Sequence, residues 1–562
     1  MGAKGIFKFF ARRFVEIAVV ALLLLFMPNL PPYTKIEEPF SVSPVKKLEG
    51  KLALKEHLSD VQIWHKGDLI GPESFAEYNG ELYASVLGGD IVKLTGEHIT
   101  PVVKLGKPCK GGYEERICGR PLGMQFDKNG KLIVADAYYG LFRVNVKTGD
   151  RELLVSPDQE IEGKQTKVFN SVALASNGDI YWSASSTEFT LQDGVLDLLA
   201  DPSGRLLHYD AKTKKNKVLI DKLHFANGVQ LSDDEEFVIV AETHRNRIHR
   251  YYLKGSKKGT HDIFIDGLPG MPDNLKSDGK GGFLVPLVVP VDSDHIAPSQ
   301  LIGPYPKIRK IAARFLGVLQ LAFETVDKHY PNEFSKKAVY SIGHLASTAS
   351  LFKASRTTIL HVSKNGEIID CLHNLNRNIS FICEAHIHKD TLYLGSPFND
   401  YIARIPLSKI GWQHLSSKPA TQKPTTTTQK PTTTQQPTTQ KPTATQQPTT
   451  QQQTTPKPTT TTAPQKQTPP AKEQVPPTQK QTPPTQKQAP PTQKQTPPTQ
   501  KQTPPVQKQT PPAQKQAPPT QKQDPPPQKQ APPQKQTPPT AKQTTPPSKQ
   551  GTKPTPSPKQ EL

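Results

Sequence analysis

The sequence predicts an all-β protein: a six-bladed β-propeller with a helical insertion, preceded by one transmembrane helix and followed by a disordered mucin-like tail. Three observations carry this expectation. A turn-and-strand phrase recurs six times between Leu58 and Leu407, an apolar run follows a basic cluster at the N-terminus, and from about Ser416 the chain is almost entirely Thr, Pro, Gln, Lys and Ala. The boundaries expected are 1–13 for a cytoplasmic segment, 14–30 for a signal anchor and 31–57 for a linker. The propeller takes 58–410, with the insertion at about 291–338, and the tail takes 411–562.

At the front, Lys4, Lys8, Arg12 and Arg13 precede an apolar run from Phe14 to about Leu30, broken by Glu16. That run is at the short end of what spans a bilayer. A cleaved signal peptide is the rival reading, but Pro28, Pro31 and Pro32 stand where small residues would mark a cleavage site. The basic side stays in the cytosol, so a single-pass type II membrane topology is expected, with everything after Leu30 extracellular or lumenal.

The repeated phrase is a Gly-, Asn- or Asp-bearing turn, a short β-rich run and a small residue. It reads Asn79-Gly-Glu-Leu-Tyr-Ala-Ser, Asn129-Gly-Lys-Leu-Ile-Val-Ala and Asn177-Gly-Asp-Ile-Tyr-Trp-Ser, then recurs from Asp234, Gly279 and Lys389. A period of about 50 residues, rich in strands, fits propeller blades of four strands each. The interval before the last copy is too long for one blade. It holds Ile308, Ile311, Ala312, Phe315, Leu319 and Ala322 at helical spacing. That stripe is expected to pack on the propeller as a cap; the basic start leaves a membrane-surface helix as the alternative.

The tail repeats TPPTQKQ-like units and cannot bury a core. Thr flanked by Pro on the lumenal side predicts an O-glycosylated stalk, a ligand for carbohydrate-binding partners. It also holds about 20 Lys against Glu473, Asp524 and Glu561, so it carries roughly +17 of the +21 net charge. The folded part is near neutral and lacks a basic stripe with interleaved aromatics, which excludes nucleic acid as a partner. In an oxidising lumen Cys109 with Cys118, and Cys371 with Cys383, could each close a local loop; buried thiols are the other reading. Asn378-Ile379-Ser380 is a sequon for N-glycan at Asn378.

Innermost strands of a propeller bring their polar ends to a central tunnel. Just before the repeated phrase stand Glu73, Asn170, Asn227 and Asp273 with Asn274. Each alone is a plausible turn residue. Together they are an oxygen-only set from four blades, suited to Ca²⁺ and not to zinc.

The segments GPES from Gly71, CGRPLGMQFD from Cys118, FNSVALASNGDIYWS from Phe169, FANGVQLSDD from Phe225 and GMPDN from Gly270 resemble the strictosidine synthase-like family. That family includes the animal adipocyte plasma membrane-associated proteins and the insect hemomucins. The resemblance covers about Leu48 to Leu407 and implies a six-bladed propeller, type II topology and a Cys109–Cys118 disulfide. Synthase chemistry needs a glutamate where this chain has Cys383, with Glu384 one residue later. A shift of one turns the side chain to the other face. Glu384 is therefore read as an outward-facing or structural carboxylate, and synthase chemistry is not expected.

The chain also resembles the calcium-dependent propeller hydrolases, the paraoxonases, gluconolactonases and diisopropyl-fluorophosphatase. That resemblance implies Glu73, Asn170, Asn227 and Asp273 as metal ligands, Asn274 as a fifth, and Asp273 as base or nucleophile. The paraoxonase histidine pair has no counterpart; His244, His386 and His388 are the substitutes on offer. Ser74 and Ser171 replace the acidic residues of a second, structural calcium site. Two functions follow: a membrane-anchored Ca²⁺-dependent hydrolase of small-molecule esters or lactones, or a non-catalytic cell-surface mucin acting in adhesion, recognition or protection.

Overall fold

Asn79 and Gly80 take φ of 52° and 76° between paired Tyr78 and Glu81. Two left-handed residues in a two-residue loop are what a tight hairpin requires, and Asn-Gly meets that need with little strain. The same device, repeated along the chain, folds it into antiparallel sheets. The computed structural model describes residues 3–349 and 355–416; from residue 417 the predicted tail lies outside the described residues.

Six main sheets form in chain order, the fifth with five strands and the others with four. Their innermost strands are Phe75–Tyr78, Pro121–Phe126, Val168–Leu174, Ala226–Leu231, Gly270–Pro272 and Glu384–His388. We number the blades 1 to 6 in that order. The outermost strand of blade 6 is not the next segment of chain but Gln62–Trp64, which pairs with Ile402–Arg404. Both ends of the folded chain thus close the ring. Six apolar clusters lie between adjacent blades, such as Ile133 and Ala135 with Phe169 and Trp182, and Phe237 and Ile239 with Phe283 and Val285. Cohesion is therefore between sheets, face on face.

Helix α1 (Ala3–Phe26) opens the chain. The expected 14–30 span corresponds only to its second half and the residues beyond it. Arg12, Arg13 and Glu16 interrupt the apolar sequence, Pro28 follows the helix, and among the described residues no helix is long and apolar enough to cross a membrane. Short helices α2 (Glu115–Cys118) and α3 (Gly194–Leu199) lie in loops of blades 2 and 3. The insertion leaves blade 5 after Pro290 and returns at Thr357. It contains α4 (Pro298–Ile302), α5 (Pro306–His329), α6 (Glu333–Gly343) and α7 (Leu345–Ala349).

Helix α5 corrects the sequence reading in one respect. Ile308, Phe315, Leu319 and Ala322, expected to pack on the propeller, are exposed, whereas Arg309, Ala313, Gly317 and Gln320 are buried. Arg309 can face inward because backbone carbonyls satisfy its guanidinium. Helical spacing identifies a stripe but not the side it faces.

Asp197 of α3 is buried, and burial pushes its carboxyl up to about 7, offset by a hydrogen bond from Ser186. The folded protein therefore holds this proton more tightly than the unfolded chain. Its contribution to stability is complete below about pH 4 and is lost as pH rises through 7. From an ordinary 3.8 to about 7 corresponds to roughly 4 kcal/mol at most. Asp197→Asn is expected to recover part of that at pH 8 and little at pH 4, read by urea unfolding at both.

Candidate functional site at the tunnel mouth

The register of the innermost strands decides which side chains reach the axis. In blades 2, 3 and 4 that strand carries one extra residue at the same place. Pro121 and Met124 pair with Asp136 and Val134, Phe169 and Val172 with Ala184 and Trp182, and Ala226 and Val229 with Glu242 and Val240. Such a bulge re-aims a side chain. The residue two before the re-paired one is Leu122, Asn170 or Asn227; in blades 1 and 6 Glu73 and Cys383 take matching places, their N donating to Ser85 O and Gly395 O of the second strand. Asp273 directly follows the short first strand of blade 5. The ring is therefore Glu73, Leu122, Asn170, Asn227, Asp273 and Cys383.

The residues one position later turn to the next blade, as strand alternation demands. Ser171 Oγ accepts from Val229 N at 3.1 Å, and Glu384 Oε1 accepts from Phe75 N at 3.0 Å. Asn274 belongs to this second set by position: its backbone N donates to Cys383 O at 3.1 Å, and its side-chain Nδ2 has no partner among the described residues. Glu384 is not outward-facing. It is fully buried between blades 6 and 1, with Ser74 Oγ donating to it at 3.3 Å and Lys276 Nζ 3.1 Å away. Lys276 comes from blade 5 and also donates to Phe75 O of blade 1 at 3.2 Å, tying three blades together.

Four of the predicted ligands thus stand on, or at the ends of, four innermost strands, all buried. Asn227 donates to the Asp273 carboxylate, and Asn170 Nδ2 donates to Ser185 Oγ at 3.0 Å. Their oxygens are left over: Asn170 Oδ1, Asn227 Oδ1 and Asp273 Oδ1 are buried without a partner among the described residues. Each such orphan costs about 1–3 kcal/mol. Burial first, then the charge of Glu73, pushes the Asp273 carboxyl well above the usual range. Glu73 is pushed up to about 7 by burial, against the pull of Arg120.

Arg120 is the residue the sequence reading missed. It lies just ahead of the blade 2 strand, buried, with Nη2 3.2 Å from Glu73 Oε2 and 3.4 Å from Pro397 O, while Nη1 has no partner among the described residues. Blade 2 offers only Leu122 at the axis, and Arg120 supplies that sector's polar group from one turn of chain earlier. Its one sequence signal was a lone basic residue between a cysteine loop and a strand.

The ring suits a hard cation, because three leftover acceptors and one carboxylate are all oxygens from different blades. The Arg120 guanidinium is the competing charge, already paired to Glu73. Among the described residues no three His, Cys, Asp or Glu form a metal cluster, which leaves amide oxygens as half of the set.

The histidines do not join it as a pair. His244, in the loop after Glu242, packs on the Phe225 ring at 4.9 Å, and burial holds it at about 4. His386 and His388 lie on the Glu384 side of their strand, His386 held well below its usual range by burial and His388 touching Glu77. Cys109 and Cys118 form a disulfide. Cys371 and Cys383 do not pair: Cys371 faces His373 across 3.3 Å, and Cys383 sits at the axis beside Glu73 O. Eleven residues separate them in sequence, but they belong to different blades.

Helix α6 packs beside this end: Tyr340 feels the charges of Glu115 and Arg120, and His344 Nε2 is 3.3 Å from Glu115 Oε1, to which Tyr138 donates. The helix thus meets the same loop ahead of blade 2 that delivers Arg120.

Residues 170–256 match the strictosidine synthase family model, and residues 50–94 the strictosidine synthase-like N-terminal model. Among similar proteins is the adipocyte plasma membrane-associated protein Hemomucin of Drosophila melanogaster, 42% identical over 403 residues, covering 71% of this chain and 69% of that one. Adipocyte plasma membrane-associated protein of Salmo salar is 32% identical over 417 residues, 72% of this chain and 94% of that one. Among solved structures, a gluconolactonase of Xanthomonas campestris aligns at TM-score 0.40 and 12% identity over 68% of this chain and 99% of its own. The calcium-binding protein regucalcin of Agrobacterium tumefaciens aligns at 0.37 and 11% over 61% and 92%. The identity and coverage of the first two matches place this chain in the adipocyte plasma membrane-associated protein family of strictosidine synthase-like proteins, alongside hemomucin.

Proposed function

We propose that the propeller is a calcium-dependent hydrolase of small esters or lactones, attached to a membrane through its N-terminal helix. The propeller and the O-glycosylated tail lie on the extracellular or lumenal side, with Asn378, which is exposed, as an N-glycan site. The observation that carries this reading is the set of three buried oxygens without partners, one each from blades 3, 4 and 5, beside Glu73. Bound Ca²⁺ would supply Lewis-acid polarisation of the ester or lactone carbonyl. Glu73, Asn170, Asn227 and Asp273 would hold it, with Asn274 beside them. With the cation bound, the Asp273 carboxylate, fixed by Asn227, would stay ionised and would accept a proton from the attacking water.

The test is a thermal melt of the full chain with and without calcium, followed by phenyl acetate hydrolysis by the wild type and Glu73→Ala. A calcium-dependent rise in Tm and loss of hydrolysis in the variant are expected; a melt indifferent to calcium overturns the site. Arg120→Gln removes the competing cation beside Glu73 and is expected to tighten calcium binding at least about tenfold, read by isothermal titration. Unchanged or weaker binding would mean that the guanidinium does not compete.

The non-catalytic mucin reading is favoured by the Arg120–Glu73 pair, which answers part of the site's charge without a metal. It requires glycan mass on the tail, visible in the intact mass of the native protein.

A further inference from the structure

Helix α5 presents its faces in reverse of a helix that merely packs on a globular domain. Its inward side is Arg309, Ala313, Gly317 and Gln320, while Ile308, Phe315 and Leu319 are 52%, 55% and 39% exposed. The apolar surface continues beyond the helix, with Leu301 67% and Phe334 74% exposed. Large apolar side chains exposed in that number mark a surface that something else covers.

A second observation is what α5 is fastened to. Arg314 Nη1 donates to Leu24 O at 2.8 Å, Leu25 O at 3.1 Å and Met27 O at 2.9 Å, closing the last carbonyls of α1. One turn later Gly317 lies so close to Pro31 and Pro32 that a Cβ there would meet the backbone at 2.8 Å. The N-terminal apolar helix is therefore fastened to α5. Between them opens a groove of about 490 Å³ lined by Ile17, Val20 and Leu24 of α1 and Ile308, Ile311 and Phe315 of α5. Its single charged lining group, Glu16, is answered by Arg12 at 2.9 Å and by Arg13. Lys307 and Lys310 flank Ile308, and Tyr305 and Tyr330 stand exposed at the two ends of α5. Lysines and amphipathic aromatics around an apolar face suit the headgroup level of an anionic bilayer.

We propose that the α1–α5 groove and the outward face of α5 form one lipid-binding surface, on which acyl chains fill the groove and the insertion holds the propeller against the bilayer. This rests on the membrane attachment proposed above. It accounts for α5 spending its polar side inward while its apolar side lies beside apolar residues of α1. Lipid contact gives both helices a partner for the apolar surface that the propeller leaves uncovered.

The test uses the full chain with Phe315→Cys labelled by an environment-sensitive fluorophore. Cys371 and Cys383 are buried and Cys109 is bridged to Cys118, so the native thiols do not compete. Lys212→Cys, in an exposed blade 3 turn at the opposite end of the sheet from Asn170, is the control. On vesicles of phosphatidylcholine and phosphatidylserine, the label at 315 is expected to shift to the blue and to lose intensity when the acyl chains are brominated; the label at 212 does neither. A chain that floats with the vesicles while 315 stays unquenched overturns this surface but leaves the membrane attachment standing. A chain that does not float overturns both. A blue shift that needs protein concentration and no lipid overturns it in favour of a contact between copies.

Discussion

Asp273→Asn is expected to abolish the calcium-dependent rise in melting temperature and to lower phenyl acetate hydrolysis by roughly a hundredfold or more, since losing several kcal/mol of transition-state stabilisation costs tenfold per 1.4 kcal/mol. The substitution keeps the shape and can still pair with the Asn227 amide, so the effect isolates the charge. It also separates loss of the site from loss of the fold. In the cation-free protein Asp273 is a buried carboxyl whose Oδ1 has no partner among the described residues, pushed well above the usual range by burial. A raised folded value means that its stabilising contribution is complete below about pH 4 and lost as pH rises toward that value. Asn has no proton to lose, so without calcium the variant should be at least as stable as the wild type at neutral pH. With calcium the order reverses, because only the wild type gains. A variant that melts early in both conditions would make Asp273 a structural residue, and retained hydrolysis would remove it from the chemistry.

The same four axis positions show how far the sequence could be read. They were legible because each blade repeats one hairpin phrase, and the residue ahead of it falls at one register point in every copy. Blade closure was not legible, since Gln62–Trp64 pairs with Ile402–Arg404 across nearly the whole propeller and three residues carry no local signal. Arg120 escaped for a related reason: it reaches Glu73 from a position that no other blade uses. Glu384 was placed on the correct side of its strand relative to Cys383, but not recognised as buried, because its partners Lys276 and Phe75 N come from blades 5 and 1. For α5 the periodicity was right and the direction wrong. A hydrophobic stripe predicts which residues share a face, and only the partners of Arg309 decide where that face points.

Arg309 is accordingly the position where one substitution should most disturb the insertion. Its guanidinium donates through Nη1 to Leu199 O at 2.8 Å and Ala200 O at 2.9 Å, and through Nη2 to Glu38 O. Leu199 and Ala200 end α3, so these are carbonyls that the helix itself cannot satisfy. Asp201 Oδ1 is 3.6 Å away, and the Phe40 ring lies 4.9 Å from the guanidinium carbon. Arg309→Met keeps the length and removes every donor. It leaves the carbonyls of Leu199, Ala200 and Glu38 without this donor, at about 1–3 kcal/mol each; Asp201 keeps the backbone N–H groups of Glu37 and Glu38. Arg309→Lys should cost nearly as much, because one ammonium cannot reproduce a fork shared by two chain segments. Hydrogen exchange distinguishes the outcomes: amides of α5 and α6 are expected to lose protection while the strands of blades 1 and 2 keep theirs. Uniform loss in all blades would instead make Arg309 part of the propeller core. Since α6 carries Tyr340 and His344 onto Glu115 near Arg120, loosening the insertion is expected to disturb Arg120 and its partner Glu73. The Arg309 variants should therefore lose hydrolysis in proportion to the protection lost by α6, although residue 309 touches none of the proposed ligands.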